Sequence, residues 1–207
     1  MQLDSLIEKW LTVGYDNLSL YERNNVIVSM ADRSGIVPDT MTESVLLEEN
    51  KKLRISMFEE KCESTILEGF KSKVNGHVYR TNRDDQMNMI GKKDYLMSHP
   101  EETTVLWKTE DAGYVAHTRE DWFTIYYEAY KHKEQALLKY NMLKLKVMIA
   151  KTDVELIPLT WNNFVIPVPE APIVKPVEPE QPVEDSPEES PVDNEKTEEP
   201  TEEVSGE

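Results

Sequence analysis

A single cysteine, Cys62, stands in a chain of 207 residues, which excludes an internal disulfide and a cysteine-rich zinc site. The four histidines, His77, His99, His117 and His132, do not fall at chelating spacings. The seven glycines form neither a phosphate loop nor a dinucleotide fingerprint, and Gly-x-Ser-x-Gly, His-Glu-x-x-His and EF-hand patterns are absent. Positive charge is scarce, with 23 Lys and Arg against 40 Asp and Glu for a formal charge of −17. Nucleic acid is held by neutralising phosphates with Lys and Arg, so it is not an expected partner. No apolar run approaches the roughly 20 residues of a membrane span. The start "MQLDSLIEKWL" lacks the basic opening and continuous apolar core of a signal peptide. These absences point to a soluble protein made in a cytoplasm, without catalytic residues, cofactor, metal or membrane insertion. Acid pairs such as Asp84–Asp85 and Glu59–Glu60 read as helix starts or solvated faces rather than as general acid–base groups.

What is present is unevenly distributed. Residues 167–207 hold 14 Asp and Glu against two Lys, together with nine of the twelve prolines. Such a segment cannot bury enough apolar surface to offset chain entropy, and a disordered acidic Pro-rich tail is expected there. The remainder divides into an N-terminal helical segment, 1–41, and a domain with a leading helix, 42–166. The expected fold class is α+β, mainly helical, with two short β-hairpins and one long helix.

In the first segment "DSLIEKWL" places Leu6, Ile7, Trp10 and Leu11 on one helical face. A second helix opens with a capping box, Ser19 and Glu22, and closes at Gly35 before Pro38. A DNA-binding helix pair does not fit, because the helix that would enter the groove begins "MTESVLLEE" and its acids would repel phosphate. That third helix is expected to start after Thr40, with Glu43 completing a capping box, and to run to Gly69. Cys62 shares its pattern with Ile55, Phe58 and Ile66 and is expected to be buried or half-buried.

"KSKVNGHVYRT" carries Asn75–Gly76, the strongest short hairpin signal, because a type I′ turn requires positive φ at both central residues. Thr81 or Asn82 then caps a helix with Asp84 and Asp85 in its first turn, which Gly91 is expected to end in a left-handed conformation. "TTVLWKT", "EDAG" and "YVAHT" read as a second hairpin. Thr118 and Asp121 cap the long helix, at about 119–151. One stripe of this helix reads Phe123, Tyr127, Tyr130, Leu137, Leu138, Leu145, Met148. The neighbouring stripe reads Trp122, Tyr126, Ala129, Ala136, Tyr140, Leu143, Val147. A helix apolar over more than half its circumference is buried on two sides, in its own domain or against another subunit. Trp107, Trp122, Tyr127, Leu138, Leu145 and Trp161 are expected in the core. Lys139, Lys144, Lys146 and Lys151 gather near the negative end of the helix dipole. Thr152 with Glu155 caps a final short helix that ends at Pro158.

The order of these elements resembles an uncharacterised module found in bacteriophage tail-fibre, tail-fibre-assembly and other tail-associated proteins. The resemblance covers about 58–162. It rests on "ILEGFKSKVNGHVYRTNRDDQMNMIG", with Gln86, Asn88 and Gly91 in place, on "VLWKTEDAGYVAHTREDW", and on "AKTDVELIPLTW". The long helix departs from the module's usual Ala-rich pattern by carrying Tyr and Lys, and the module brings no catalytic residues. It implies a non-enzymatic structural or adaptor protein of a tail tip, baseplate or fibre, located in the virion tail after synthesis in the host. Two alternatives are a tail assembly chaperone absent from the mature particle and an early phage protein that inhibits a host factor. Its surplus apolar surface marks an interface, for which Leu46, Leu53, Met57, Tyr126, Tyr127, Tyr130 and Tyr140 are the candidates. The module's context makes a homotrimer joined through 43–67 and 119–151 the leading expectation, and a fixed complex with another tail protein the next.

Overall fold

Among the described residues, each α-helix begins where a short polar side chain can take up the first unpaired amides. In the computed structural model, which describes residues 4–167, Asp4 caps α1 (Ser5–Val13). Ser19 and Glu22 form the reciprocal capping box of α2 (Leu20–Ser34), which stops at Gly35 with φ 65°. Pro38 presets a 3-10 turn, Pro38–Thr40, and this moves the next cap two residues beyond the expected Thr40. Thr42 caps α3 (Glu43–Glu68), accepting from the Val45 amide at 3.3 Å. Ile7, Trp10 and Leu11 of α1 and Val26, Met30 and Ala31 of α2 close on Leu46 and Leu53 of α3.

After α3 come β1 (Phe70–Lys71) and β2 (Val78–Tyr79), antiparallel with Phe70 opposite Tyr79. The two-residue turn expected at Asn75–Gly76 is instead a four-residue loop, 73–76, closed by the Ser72 amide donating to the His77 carbonyl at 2.9 Å. Gly76 supplies positive φ, 78°. The Asn75 side chain accepts from the His77 amide at 3.0 Å and donates to the Tyr79 hydroxyl at 2.9 Å, and this bridge stabilises the longer loop.

Asn82 caps α4 (Arg83–Ser98). The helix does not end at Gly91; it runs another seven residues, because Leu96 is drawn into a cluster with Val105 and Trp122. Arg119 then covers the open carbonyls at its end, donating to Leu96 at 2.5 Å, His99 at 3.0 Å and Glu102 at 3.2 Å. The second hairpin pairs β3 (Thr104–Thr109) with β4 (Gly113–Thr118), Thr104 opposite Thr118, through a three-residue loop followed by Gly113 at φ 71°. Thr118 caps α5 (Arg119–Ile149), and Thr152 caps α6 (Asp153–Leu156). The fold is mainly helical α+β, with two small antiparallel hairpins and one dominant helix. The tail expected at 167–207 falls, from 168 onward, outside the described residues.

α3 and α5 form the spine. The His132 ring donates from Nε2 to the Thr65 carbonyl at 2.8 Å, while Phe58 packs with Leu143 and Val147, so the two helices run antiparallel. The inward face of α5 is Trp122, Ile125, Ala129, Ala136, Leu143 and Val147. This is the second of its two apolar stripes, the one with alanines that let a neighbouring backbone approach. The expectation that Tyr127, Leu138 and Leu145 are core residues is therefore overturned: they are 58%, 45% and 61% exposed. Trp122 is buried as expected, whereas Trp107 and Trp161 are half-buried at cluster margins. Cys62 is buried, and burial pushes its thiol pKa up.

A polar knot joins the N-terminal helices to this spine. Asp153 accepts from the Trp10 indole at 3.1 Å, from the Tyr15 amide at 2.8 Å and from Asn50 Nδ2. Arg54, itself buried, donates to Asn50 Oδ1 at 2.9 Å, to the Leu159 carbonyl at 3.3 Å and to the Leu11 carbonyl. Burial lowers its pKa, and the Asp153 charge opposes that shift. Asp153→Asn turns one of two acceptor oxygens into a donor facing other donors. The expected loss is about 1–2 kcal/mol, read as a lower denaturant midpoint with an unchanged slope. An unaltered midpoint would show that the knot carries no stability.

Candidate functional site

α4 and α5 meet at Met89, Ile125 and Ala129, and beside that contact lies an open groove of about 400 Å³. Met89 and Ala129 floor it, while Ile90, Tyr126, Tyr130 and Leu137 form its walls. Gln86 sets the spacing of the two helices. Its amide donates to the Thr81 carbonyl at 2.7 Å, and its oxygen accepts from Lys133 Nζ at 2.6 Å. The groove opens onto the outer face of α5, where Tyr127, Tyr130, Leu137, Leu138, Leu145, Met148 and Ile149 are all exposed. Lys131 lies 5.6 Å from the Tyr127 ring and 5.9 Å from Tyr130. Its bond to Glu134 at 2.6 Å raises its pKa.

This face is contiguous and apolar, with a few cations at its margins. Among the described residues, no cluster of three or more His, Cys, Asp or Glu could hold a metal ion. No helix among them is long and apolar enough to cross a membrane. The buried Tyr79 hydroxyl stands 3.3 Å from His117 Nε2. Burial raises the tyrosine pKa and lowers that of His117, so both stay neutral near pH 7 as a satisfied interior pair. His77 meets Asp111 at 3.0 Å, and Asp111 also accepts from the Val78 amide at 3.0 Å. The amide first, then the histidine, hold its carboxyl down at about 2. That contact ties the two hairpins together.

The candidate interface residues separate into four groups. Tyr126 and Tyr130 line the groove, and Tyr127 stands on the exposed face beside it. Leu46 and Leu53 are buried among α1 and α2, so they are not available to a partner; the N-terminal helices already cover that side of α3. Tyr140 packs inward against the Phe58–Leu143 cluster. Met57 is half-buried and lines a separate cleft between α1, α3 and residues 157–163. The caps Thr118 and Thr152 act as expected. Gly91 is exposed within α4 and lines a second groove, about 590 Å³, between that helix and β3–β4.

A Cβ built on Gly91 meets nothing within 4 Å. Gly91→Ala should therefore stabilise the fold by roughly 0.5–1 kcal/mol through helix propensity and a less flexible unfolded chain. A raised melting temperature is the expected reading, and a lowered one would mean that this turn is not helical in solution.

Sequence patterns missed Arg119, Gln86 and Glu128 as organising residues. Glu128 accepts from Ser72 Oγ at 2.5 Å and from the Lys73 amide at 3.1 Å, tying the first hairpin loop to α5. Only the position of Gln86 in the Gln-x-Asn pattern offered a signal for any of the three. No curated protein and no solved structure matches the chain. Residues 49–159, more than half of the 207, match the family described as "Domain of unknown function (DUF4376)", and the chain belongs to that family.

Proposed function

We propose that the chain is a non-enzymatic structural or adaptor protein of a bacteriophage tail, and that it holds a neighbouring tail protein along the groove and outer face of α5. The observation that carries the docking part is the exposed apolar face on a helix whose opposite side is fully committed to the core. Burying such a face elsewhere offers roughly 25 cal/mol for each Å² of apolar surface removed from water. The phage setting rests on the order of sequence patterns around Gln86, Asn88 and Gly91, Trp107, and Thr152–Trp161. A fixed complex with a different protein fits better than the homotrimer. Leu46 and Leu53 of α3 are used inside the chain, and three parallel α5 helices would bring their lysines together.

Quantitative mass spectrometry of purified particles from the encoding phage tests this reading. A tail component should appear in fixed stoichiometry with other tail proteins. Absence from particles would remove it and favour the assembly chaperone, for which the acidic segment 167–207 would keep a client soluble.

A further inference from the structure

The C-terminal half of α5 differs from the rest of the molecule in charge. From 135 to 152 the sequence holds Lys139, Lys144, Lys146 and Lys151 and no Asp or Glu, in a protein of net charge −17. None of these four ammonium groups joins the ion pairs found among the described residues, which use other cations. Lys139 lies over the Trp161 ring at 5.2 Å, and Lys144 over Tyr140 at 5.8 Å.

Between the lysines runs an apolar seam. Leu138 and Leu145 are seven residues apart, and Met148 and Ile149 follow one turn later, all exposed. With Asn141 they occupy successive a and d positions of a heptad, Leu138–Asn141–Leu145–Met148. At 100° per residue, Lys144 borders this seam on one side, and Lys139 and Lys146 lie beyond the other.

We infer that this half of α5 binds an acidic amphipathic helix of a partner protein, with Leu-type side chains packed along Leu138, Leu145 and Met148 and carboxylates facing the lysines. The inference rests on the docking reading above and names the chemistry of its partner. A second copy of the chain fits worse, since pairing this segment with itself sets lysine against lysine in either direction. An anionic membrane also fits worse, because the seam has no Trp or Phe to seat at an interface and the chain as a whole carries −17.

The test uses the full chain and two synthetic helical peptides of about three heptads. One has Leu at a and d with Glu at e and g, and the other has Lys in place of Glu. The acidic peptide should bind with a dissociation constant on the order of 10 µM at low salt. That affinity should weaken several-fold between about 50 and 300 mM salt. The double change Lys144→Glu with Lys146→Glu should cost roughly tenfold. Leu145→Asp should remove binding while leaving the melting curve close to wild type, since Leu145 is 61% exposed. Four results would overturn the inference. They are no binding of the acidic peptide, equal binding of the Lys peptide, capture on phosphatidylglycerol vesicles instead, or self-association that Leu145→Asp abolishes. A chain that binds the acidic peptide yet is missing from particles would keep this inference and remove the phage-tail reading; the reverse pair of results would do the opposite.

Discussion

Gly69→Ala is expected to unfold the hairpin end of the molecule. Gly69 ends α3 at φ 85° and ψ −160°, a region that is essentially closed to residues with a side chain. An added Cβ would stand 2.1 Å from the Tyr79 carbonyl oxygen and 2.7 Å from the Arg80 Cα. Both are backbone atoms, one of β2 and one of the residue that follows it, so no side chain can swing aside to relieve the overlap. Strain at the residue and displacement of β2 together should cost about 4 kcal/mol. That is a large part of the roughly 5–15 kcal/mol that holds a domain of this size. Chemical denaturation of the purified variant gives the answer. A midpoint close to wild type would mean that α3 does not meet β2 in this way.

The second large effect separates the two sides of α5. Leu143 is fully buried against Phe58 and Val147, so Leu143→Asp would place an unpaired carboxylate in the core, at a cost of about 4–5 kcal/mol or complete unfolding. Leu138→Asp, five residues earlier on the outer face, should change stability by no more than about 0.5 kcal/mol. Equal damage from both would mean that α5 is covered on both sides within the chain. The reverse order, Leu138 worse than Leu143, would rotate the helix by half a turn.

That contrast shows where the sequence was legible. Element types and most caps could be read directly: Ser19 with Glu22, Asn82, Thr118 and Thr152 all begin helices, because capping is local chemistry. Glycine at the second hairpin could be read for the same reason. Which side of α5 faces inward could not, since both stripes are apolar and the choice depends on distant partners, Phe58 of α3 against Leu143 and Val147 and Met89 of α4 against Ile125 and Ala129. Gly91 misled for a related reason. A local stop signal worth about 1 kcal/mol lost to the burial of Leu96, a contact with β3 and α5 that no nearby residue announces. The interface candidates divided along the same line. Tyr126, Tyr127 and Tyr130 stay open to a partner, while Leu46 and Leu53 are covered by the apolar faces of α1 and α2, beside a polar knot of Trp10, Asn50, Arg54 and Asp153. Trp10 and Asp153 lie too far in the chain from Asn50 and Arg54 for the four to form a visible pattern.

We propose that α5 holds the fold with one face and a tail partner with the other. Particle composition measured for phage carrying the Leu145→Asp chain tests it most directly. The variant should melt like wild type and accumulate in infected cells, yet be depleted from purified particles by roughly tenfold or more, as the loss of one central apolar anchor would give. Incorporation at the wild-type level would contradict a docking role for the outer face.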